Sequence, residues 1–359
     1  MRIGIVTFQR AHNHGASLQM YGLYRALTKL GHEVRAVDYV SEGNPRPSSA
    51  KQKIADVLNR RYNKIKAERY ADFRNKLFKN GMTKPLKKAE LPSVCDDFDI
   101  FVAGSDQIWN NHISFMDGFY FLDFVDKPEK KYTYAVSFNM KGVPSDKTDE
   151  YTRRLSSFQR FSVREAEGVE AVKTLTGRDA DVHIDPSLLL NTHDWLDCIK
   201  DIEVPKQKYI AVYTVGKPVK LIEYAKQLAK QKGCRLLYLS DFFGHMDVKH
   251  VRGLGPLEFL AYIANAEYVF TNSFHGTAFS INFHKQFFTE LQTAVRYNSR
   301  SESLMKKCGL FERDLTANSS ALSLADKAVD WDSVEAALDA ERKRSTEYFN
   351  QIVSEVSEN

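Results

Sequence analysis

Apolar positions at Ile3, Ile5 and Val6 give way to the polar loop Gln9-Arg10-Ala11-His12-Asn13-His14-Gly15, after which Met20, Leu23, Tyr24, Leu27 and Leu30 recur at helical spacing. Gly31 ends that helix. Residues 33–39 are strand-like again, so the chain opens as a βαβ unit, the start of a parallel sheet. Past a Gly/Pro/Ser stretch at 43–49, Ile54, Leu58, Tyr62, Ile65, Phe73 and Leu77 mark one face of a long basic helix. Buried strands are predicted at 98–103, 131–138 and 158–163, a helix at 165–176, and a strand end at 183–186 that closes the first half. A second alternating series follows. Strands at 209–215, 235–240 and 267–272 are interleaved with helices at 218–232, 256–264 and 276–284. The last helix carries Trp331, Val334, Leu338, Tyr348, Ile352 and Val356 on one face and is expected to pack back across both halves. The predicted fold class is α/β with two Rossmann-like domains. Their expected bounds are 1–186, which includes the basic helix at about 51–80, and 187–330, with 331–359 as the C-terminal helix.

The length of 359 residues agrees with two domains. Hydrophobic residues at 43% and charged residues at 27% exclude a disordered or fibrous chain. No apolar run approaches the roughly 18 residues that cross a bilayer, and the apolar start is too short for a signal-peptide core, so a cytoplasmic protein is expected. Cys95, Cys198, Cys234 and Cys308 are too far apart for a zinc site or a disulfide scaffold. A net charge of +5 is too mild to imply nucleic acid, but 51–90 holds 13 Lys/Arg against 4 Asp/Glu. That face is either solvated or a weak docking surface for an anionic membrane, which would put the protein at the inner membrane face.

In open α/β sheets ligands gather outside the carboxyl ends of the strands, where helix N-termini offer N–H groups. Three segments fit. In 268–277 an apolar strand runs into Asn272-Ser273-Phe274-His275-Gly276-Thr277. There Asn272 or Ser273 can cap a helix, Gly276 can admit a ligand to the backbone, and His275 can exchange a proton. The alternative is a capped helix with a packed histidine. In 102–110 a strand meets Gly104-Ser105-Asp106, which also reads as an ordinary strand-to-helix turn. At a third strand end Arg164 could fork onto a carboxylate or phosphate, or form an ion pair with a neighbour such as Glu165. P-loop, dinucleotide and hydrolase-elbow motifs are missing, and His12-x-His14 and His183-x-Asp185 lack persuasive metal-ligand spacing.

Five segments in order carry a resemblance: Gly15-Ala16-Ser17-Leu18-Gln19, Gly104-Ser105-Asp106-Gln107-Ile108-Trp109, Ser162-Val163-Arg164-Glu165, Asp185-Pro186-Ser187-Leu188-Leu189 and Asn272-Ser273-Phe274-His275-Gly276. Together they resemble the polysaccharide pyruvyl transferase family over roughly residues 3–290. The resemblance implies an architecture like the GT-B glycosyltransferases, with an acceptor-side first domain and a donor-side second domain. It also implies transfer of pyruvate from phosphoenolpyruvate to a glycan or lipid-linked oligosaccharide as a cyclic ketal, with no metal or organic cofactor. Arg164 matches a family arginine assigned to the donor phosphate, and His275 the histidine placed at the donor. Ser273 stands where some branches carry an arginine. On this reading His275, Arg164 and Asp106 are catalytic. Asn272, Ser273, Gly276, Thr277, Gly104 and Ser105 bind the donor beside Arg164, and Asn13 and Gly15 lie on a loop near the site. The rival readings are a nucleotide-sugar glycosyltransferase and a non-catalytic scaffold for polysaccharide assembly.

Overall fold

The structure is a computed structural model and describes residues 1–41, 57–138, 143–241, 247–291, 299–318 and 320–358. In chain order the strands are β1 (Arg2–Val6), β2 (Glu33–Ala36), β3 (Ile100–Ala103), β4 (Lys131–Thr133), β5 (Ser162–Val163), β6 (Asp181–Val182), β7 (Tyr209–Tyr213), β8 (Arg235–Leu239), β9 (Lys249–Val251), β10 (Tyr268–Thr271) and β11 (Gln286–Thr289). The helices used below are α1 (His14–Lys29), α2 (Arg60–Phe78), α3 (Ala166–Thr176), α4 (Leu221–Lys232), α5 (Pro256–Ala264), α6 (Phe274–Asn282), α7 (Ser299–Lys307) and α8 (Trp331–Glu358). None of the described helices is long and apolar enough to cross a membrane.

The chain divides into two compact units. The first comprises Met1–Gly43, Phe78–Leu190 and Leu338–Asn359, the second Asn44–Leu77 and Asn191–Ala337. Unit 1 holds a parallel sheet in the order β2-β1-β3-β4 and the short parallel pair β5-β6. Its core is strongly aromatic: Trp109 lies parallel to Phe121 with ring centroids 5.9 Å apart and meets Phe138 and Phe158 edge-on. Unit 2 holds a second parallel sheet, β11-β10-β7-β8-β9. Both sheets are built from strand-helix-strand crossovers, as the alternating apolar runs predicted. β9, β11 and α7 were not anticipated, because short strands and a helix as polar as α7 leave little periodic signal.

The basic helix corrects an expectation. α2 belongs to unit 2 and not to the N-terminal domain, because its cations find their partners there. Lys66 pairs with Asp241 at 3.0 Å, Arg69 pairs with Glu258 at 3.2 Å, and an Arg69 guanidinium N–H donates to the Gly253 carbonyl at 2.9 Å. Tyr70 and Phe73 form its buried face, whereas Leu58, expected in the stripe, is exposed and Ile54 lies outside the described residues. Lys64 and Lys76 also face carboxylates, those of Glu68 and Asp201. Lys66 and Arg69 are thus paired inside unit 2, whereas the pairs of Lys64 and Lys76 are exposed at its surface.

α8 is one continuous helix. Its first two turns belong to unit 2, where His284 stacks on Trp331 and its Nε2 pairs with Glu335 at 2.9 Å. The remainder belongs to unit 1: the Tyr348 hydroxyl donates to the Thr133 carbonyl at 2.8 Å, and Tyr134 and Ser345 pair through their hydroxyls at 2.9 Å.

Beneath α8, His183 sits in a closed aromatic slot. Its ring lies 5.7 Å from Tyr134 and 4.7 Å from Tyr348, and its Nδ1 pairs with the Ser162 hydroxyl at 2.9 Å. Burial pushes its pKa down from 6.5 to about 4, so the ring is neutral at pH 7. The unfolded chain therefore binds a proton that the folded chain refuses across this window. The stability held above pH 6.5 should fall on acidification towards pH 4, by an amount on the order of 3 kcal/mol. Urea denaturation of wild type and His183→Gln between pH 7 and pH 4.5 checks this. The variant should be less stable at pH 7 and show a flatter pH dependence, and parallel profiles would refute it.

Candidate functional site

In unit 1 the strand order reverses between β1 and β3, which opens a crevice at their carboxyl ends. Gln19, on α1, stitches the two strand ends together. Its Nε2 donates to the Thr7 hydroxyl oxygen at 2.9 Å, and its Oε1 accepts from the Ser105 N–H at 3.3 Å. The Thr7 hydroxyl in turn donates to the Ser105 carbonyl at 2.9 Å, and the Ser105 hydroxyl donates to the Ala135 carbonyl at 2.8 Å. Gly104 has φ of 129°, and a Cβ there would stand 2.1 Å from the Tyr134 carbonyl oxygen. Gly104 and Ser105, expected to bind the donor, thus serve the close approach of β3 to the segment after β4. Asn13 caps α1, its Oδ1 accepting from the Ala16 N–H at 3.1 Å, and Gly15 is buried in the first turn.

The same edge carries a buried ionic cluster. One terminal nitrogen of Arg164 donates to Asp185 and the other to Asp106 at 3.4 Å, with the Arg164 and Asp185 side chains only 2% and 0% exposed. Burial opposes the charge on this guanidinium, but Asp185, Asp106 and Glu165 outweigh it and hold the Arg164 pKa above its ordinary value. The ion pair is thus with Asp185 and Asp106, and not with Glu165. Glu165 Oε1 instead accepts from the Ser137 hydroxyl at 2.8 Å and the Phe138 N–H at 3.1 Å. Asp106 itself has left-handed backbone at φ of 75°, takes the Gln107 N–H at 2.8 Å, and keeps its side chain 12% exposed. It is the member of the cluster open to a ligand.

In unit 2 the strand order reverses between β7 and β10. Asn272 closes that point as Gln19 does in unit 1: its Oδ1 accepts from the Val215 N–H at 2.7 Å and its Nδ2 donates to the Val215 carbonyl at 3.0 Å. Two helices begin here. The N-terminus of α4 is already filled by the buried Glu290 carboxylate, which takes the N–H groups of Val219 and Leu221, each at 2.7 Å, and of Lys220 at 3.1 Å. α6 begins differently. Ser273 caps it, accepting the Gly276 N–H at 3.5 Å, and the half-buried His275 stands in its first turn with its ring edge-on to Phe274 at 5.1 Å.

Two residues of this turn that were expected to bind the donor make internal contacts. The Thr277 hydroxyl is wholly buried and donates to the Ser273 carbonyl at 3.1 Å. Gly276 is needed because a Cβ there would stand 2.2 Å from Thr271 Oγ1, so the glycine lets α6 close on β10. Of the expected site residues, His275 in unit 2 is half-buried, and Asp106 in unit 1 keeps 12% of its side chain exposed. Gln19 and Asp185 lie inside the five segments without an assigned role, and Glu290 carries no sequence signal at all.

Fold and site together define an α/β protein of two Rossmann-like units, each with polar side chains gathered at a strand-order reversal. The family model for polysaccharide pyruvyl transferase matches residues 13–289, a span that includes both reversals, and the chain belongs to that family. No curated protein gave a match. Among solved structures the chain is similar to a UDP-GlcNAc 2-epimerase from Neisseria meningitidis (9% identity, 100% of each chain covered, TM-score 0.49). It is also similar to the wall teichoic acid polymerase TagF (12% identity, 99% of this chain and 89% of the other, TM-score 0.48) and a Streptomyces glycosyltransferase (12% identity, 96% of each, TM-score 0.45). Likenesses at this level carry no functional weight.

Replacing Arg164 by Ala strands two carboxylates without their cation, which for a buried pair costs roughly 3–5 kcal/mol. Arg164→Ala should therefore melt far below wild type, and Arg164→Lys in between, because one ammonium cannot serve both carboxylates in the planar fork's geometry. Wild-type melting of the Ala variant would show the cluster to be dispensable.

Proposed function

We propose that this protein transfers pyruvate from phosphoenolpyruvate to two hydroxyls of a glycan sugar, forming a cyclic ketal and free phosphate, in surface polysaccharide biosynthesis. The observation that carries the reading is the family match across 13–289. The side chains are consistent with the chemistry. An enol phosphate becomes a ketal only after its terminal methylene is protonated, which leaves an oxocarbenium-like carbon. His275 is the acid for that step, held at the start of α6 where N–H groups and the helix dipole favour an anion.

The first sugar hydroxyl then attacks the cationic carbon and releases its proton. The second hydroxyl forms the other C–O bond as the bond to phosphate breaks. One of the two hydroxyl protons restores the imidazolium and the other leaves on the phosphate, so the proton count closes without a metal or organic cofactor. In unit 1, Arg164 is a positioning residue that holds the Asp106 carboxylate in place through their pair at 3.4 Å.

Incubation with phosphoenolpyruvate and a panel of galactosyl, mannosyl and N-acetylhexosaminyl acceptors tests the reaction. The expected result is one pyruvate ketal per phosphate released, read by mass and phosphate assay. Turnover of nucleotide sugars in place of phosphoenolpyruvate would overturn it in favour of glycosyl transfer. His275→Gln should lower kcat by about 10²–10⁴-fold while folding and donor affinity persist. A drop in melting temperature with near-normal turnover per folded molecule would reduce His275 to a packing role.

A further inference from the structure

We propose that a cavity of unit 2, walled by α2 and α5, binds a neutral sugar of the acceptor glycan other than the one that gains pyruvate; the inference rests on the glycan acceptor of the reading above and not on its donor. The cavity measures about 540 Å³ and is lined by Asp72, Asn75 and Lys76 of α2, by Leu257 and Glu258 of α5, and by Ile202. That volume lies within the ordinary range for small-molecule sites, about 300–1,000 Å³. Its walls are tied together: Arg69 reaches from α2 to Glu258 at 3.2 Å and donates to the Gly253 carbonyl at 2.9 Å. Neither His275 nor Asp106 lines it, so it is a place to hold a sugar and not to change one.

Charge selects the ligand. The two cations of the lining are already matched, Arg69 by Glu258 and Lys76 by Asp201 at 3.6 Å. A phosphate or carboxylate entering the cavity would have to displace one of those partners, and it would face the Asp72 carboxylate as a like charge. Asp72 and Asn75 are exposed, stand one turn apart on the same face of α2, and neither side chain has a hydrogen-bond or ion-pair partner among the described residues. A carboxylate accepts from hydroxyls and a carboxamide both accepts and donates, so the two can take neighbouring hydroxyls of one ring. Ile202 and Leu257 supply apolar surface for the C–H face of the same ring. Hydroxyls at one wall, C–H groups at the other and no net charge describe a hexose unit.

The test titrates the full-length protein calorimetrically with neutral oligosaccharides of galactose, mannose and N-acetylglucosamine, and with inorganic phosphate, alongside steady-state kinetics. Wild type should bind at least one oligosaccharide without phosphoenolpyruvate. Asp72→Ala should raise its Kd about 10-fold or more, the loss of one hydrogen bond to a charged group, Asn75→Ala should raise it by a smaller factor, and Asp72→Asn should recover part of the loss. The rise should appear in the KM for the oligosaccharide and not in the KM for phosphoenolpyruvate. Both side chains are exposed, so the variants should fold as wild type does. Unchanged oligosaccharide affinity in Asp72→Ala and Asn75→Ala overturns the inference, as does a wild type that binds none of the panel. Phosphate binding that is lost in Lys76→Gln would also overturn it, because the cavity would then be an anion site. If oligosaccharide binding depends on Asp72 but no acceptor gains pyruvate, the sugar site stands and the ketal reaction falls. If pyruvate is transferred and the acceptor KM of Asp72→Ala equals that of wild type, the reaction stands and the sugar site falls.

Discussion

Arg164 buried between Asp185 and Asp106 is the interaction on which unit 1 depends. A guanidinium this far from water is tolerable only with carboxylates around it, and the carboxylates are tolerable only with the guanidinium. Because Asp106 follows β3, Arg164 follows β5 and Asp185 follows β6, the pairing locks three strand ends at one edge. Glu165, next along the chain, adds the segment after β4 through Ser137 and Phe138.

A second constraint works at the two points where strand order reverses. A parallel sheet cannot pair its backbone beyond the strand ends, so the divergent loops need other partners for their polar groups. Gln19 supplies them in unit 1 and Asn272 in unit 2, each with one carboxamide that both donates and accepts. The segments that mark the family are thus largely its internal joinery. They hold the strand ends of each unit in shape.

The two helix N-termini of unit 2 are satisfied in different ways. Three N–H groups at α4 are given to Glu290, an internal anion that fixes the loop after β7. α6 is capped by Ser273, with a histidine in its first turn and an arginine over the neighbouring ring. An internal carboxylate from a distant strand end satisfies the first terminus, and a serine of the preceding loop caps the second.

The alternation of strands and helices, the parallel sheets and the terminal helix were legible in the sequence, because side-chain period is a local property of a few successive residues. His275 and Asp106 were legible as candidates for the same reason, each lying just past an apolar run. The partners of each polar side chain were not legible. Arg164 meets residues 21 and 58 positions away, Gln19 one 86 away, and Asn272 one 57 away. Separation along the chain says nothing about which of those groups will share a strand edge. The same holds for α2, whose basic residues read as a free charged face until tertiary structure set Asp241 and Glu258 opposite them. Sequence determined where charge and protons could be placed, and only the fold decided which were neutralised inside and which stay open to a ligand, because desolvation and pairing are properties of neighbours in space.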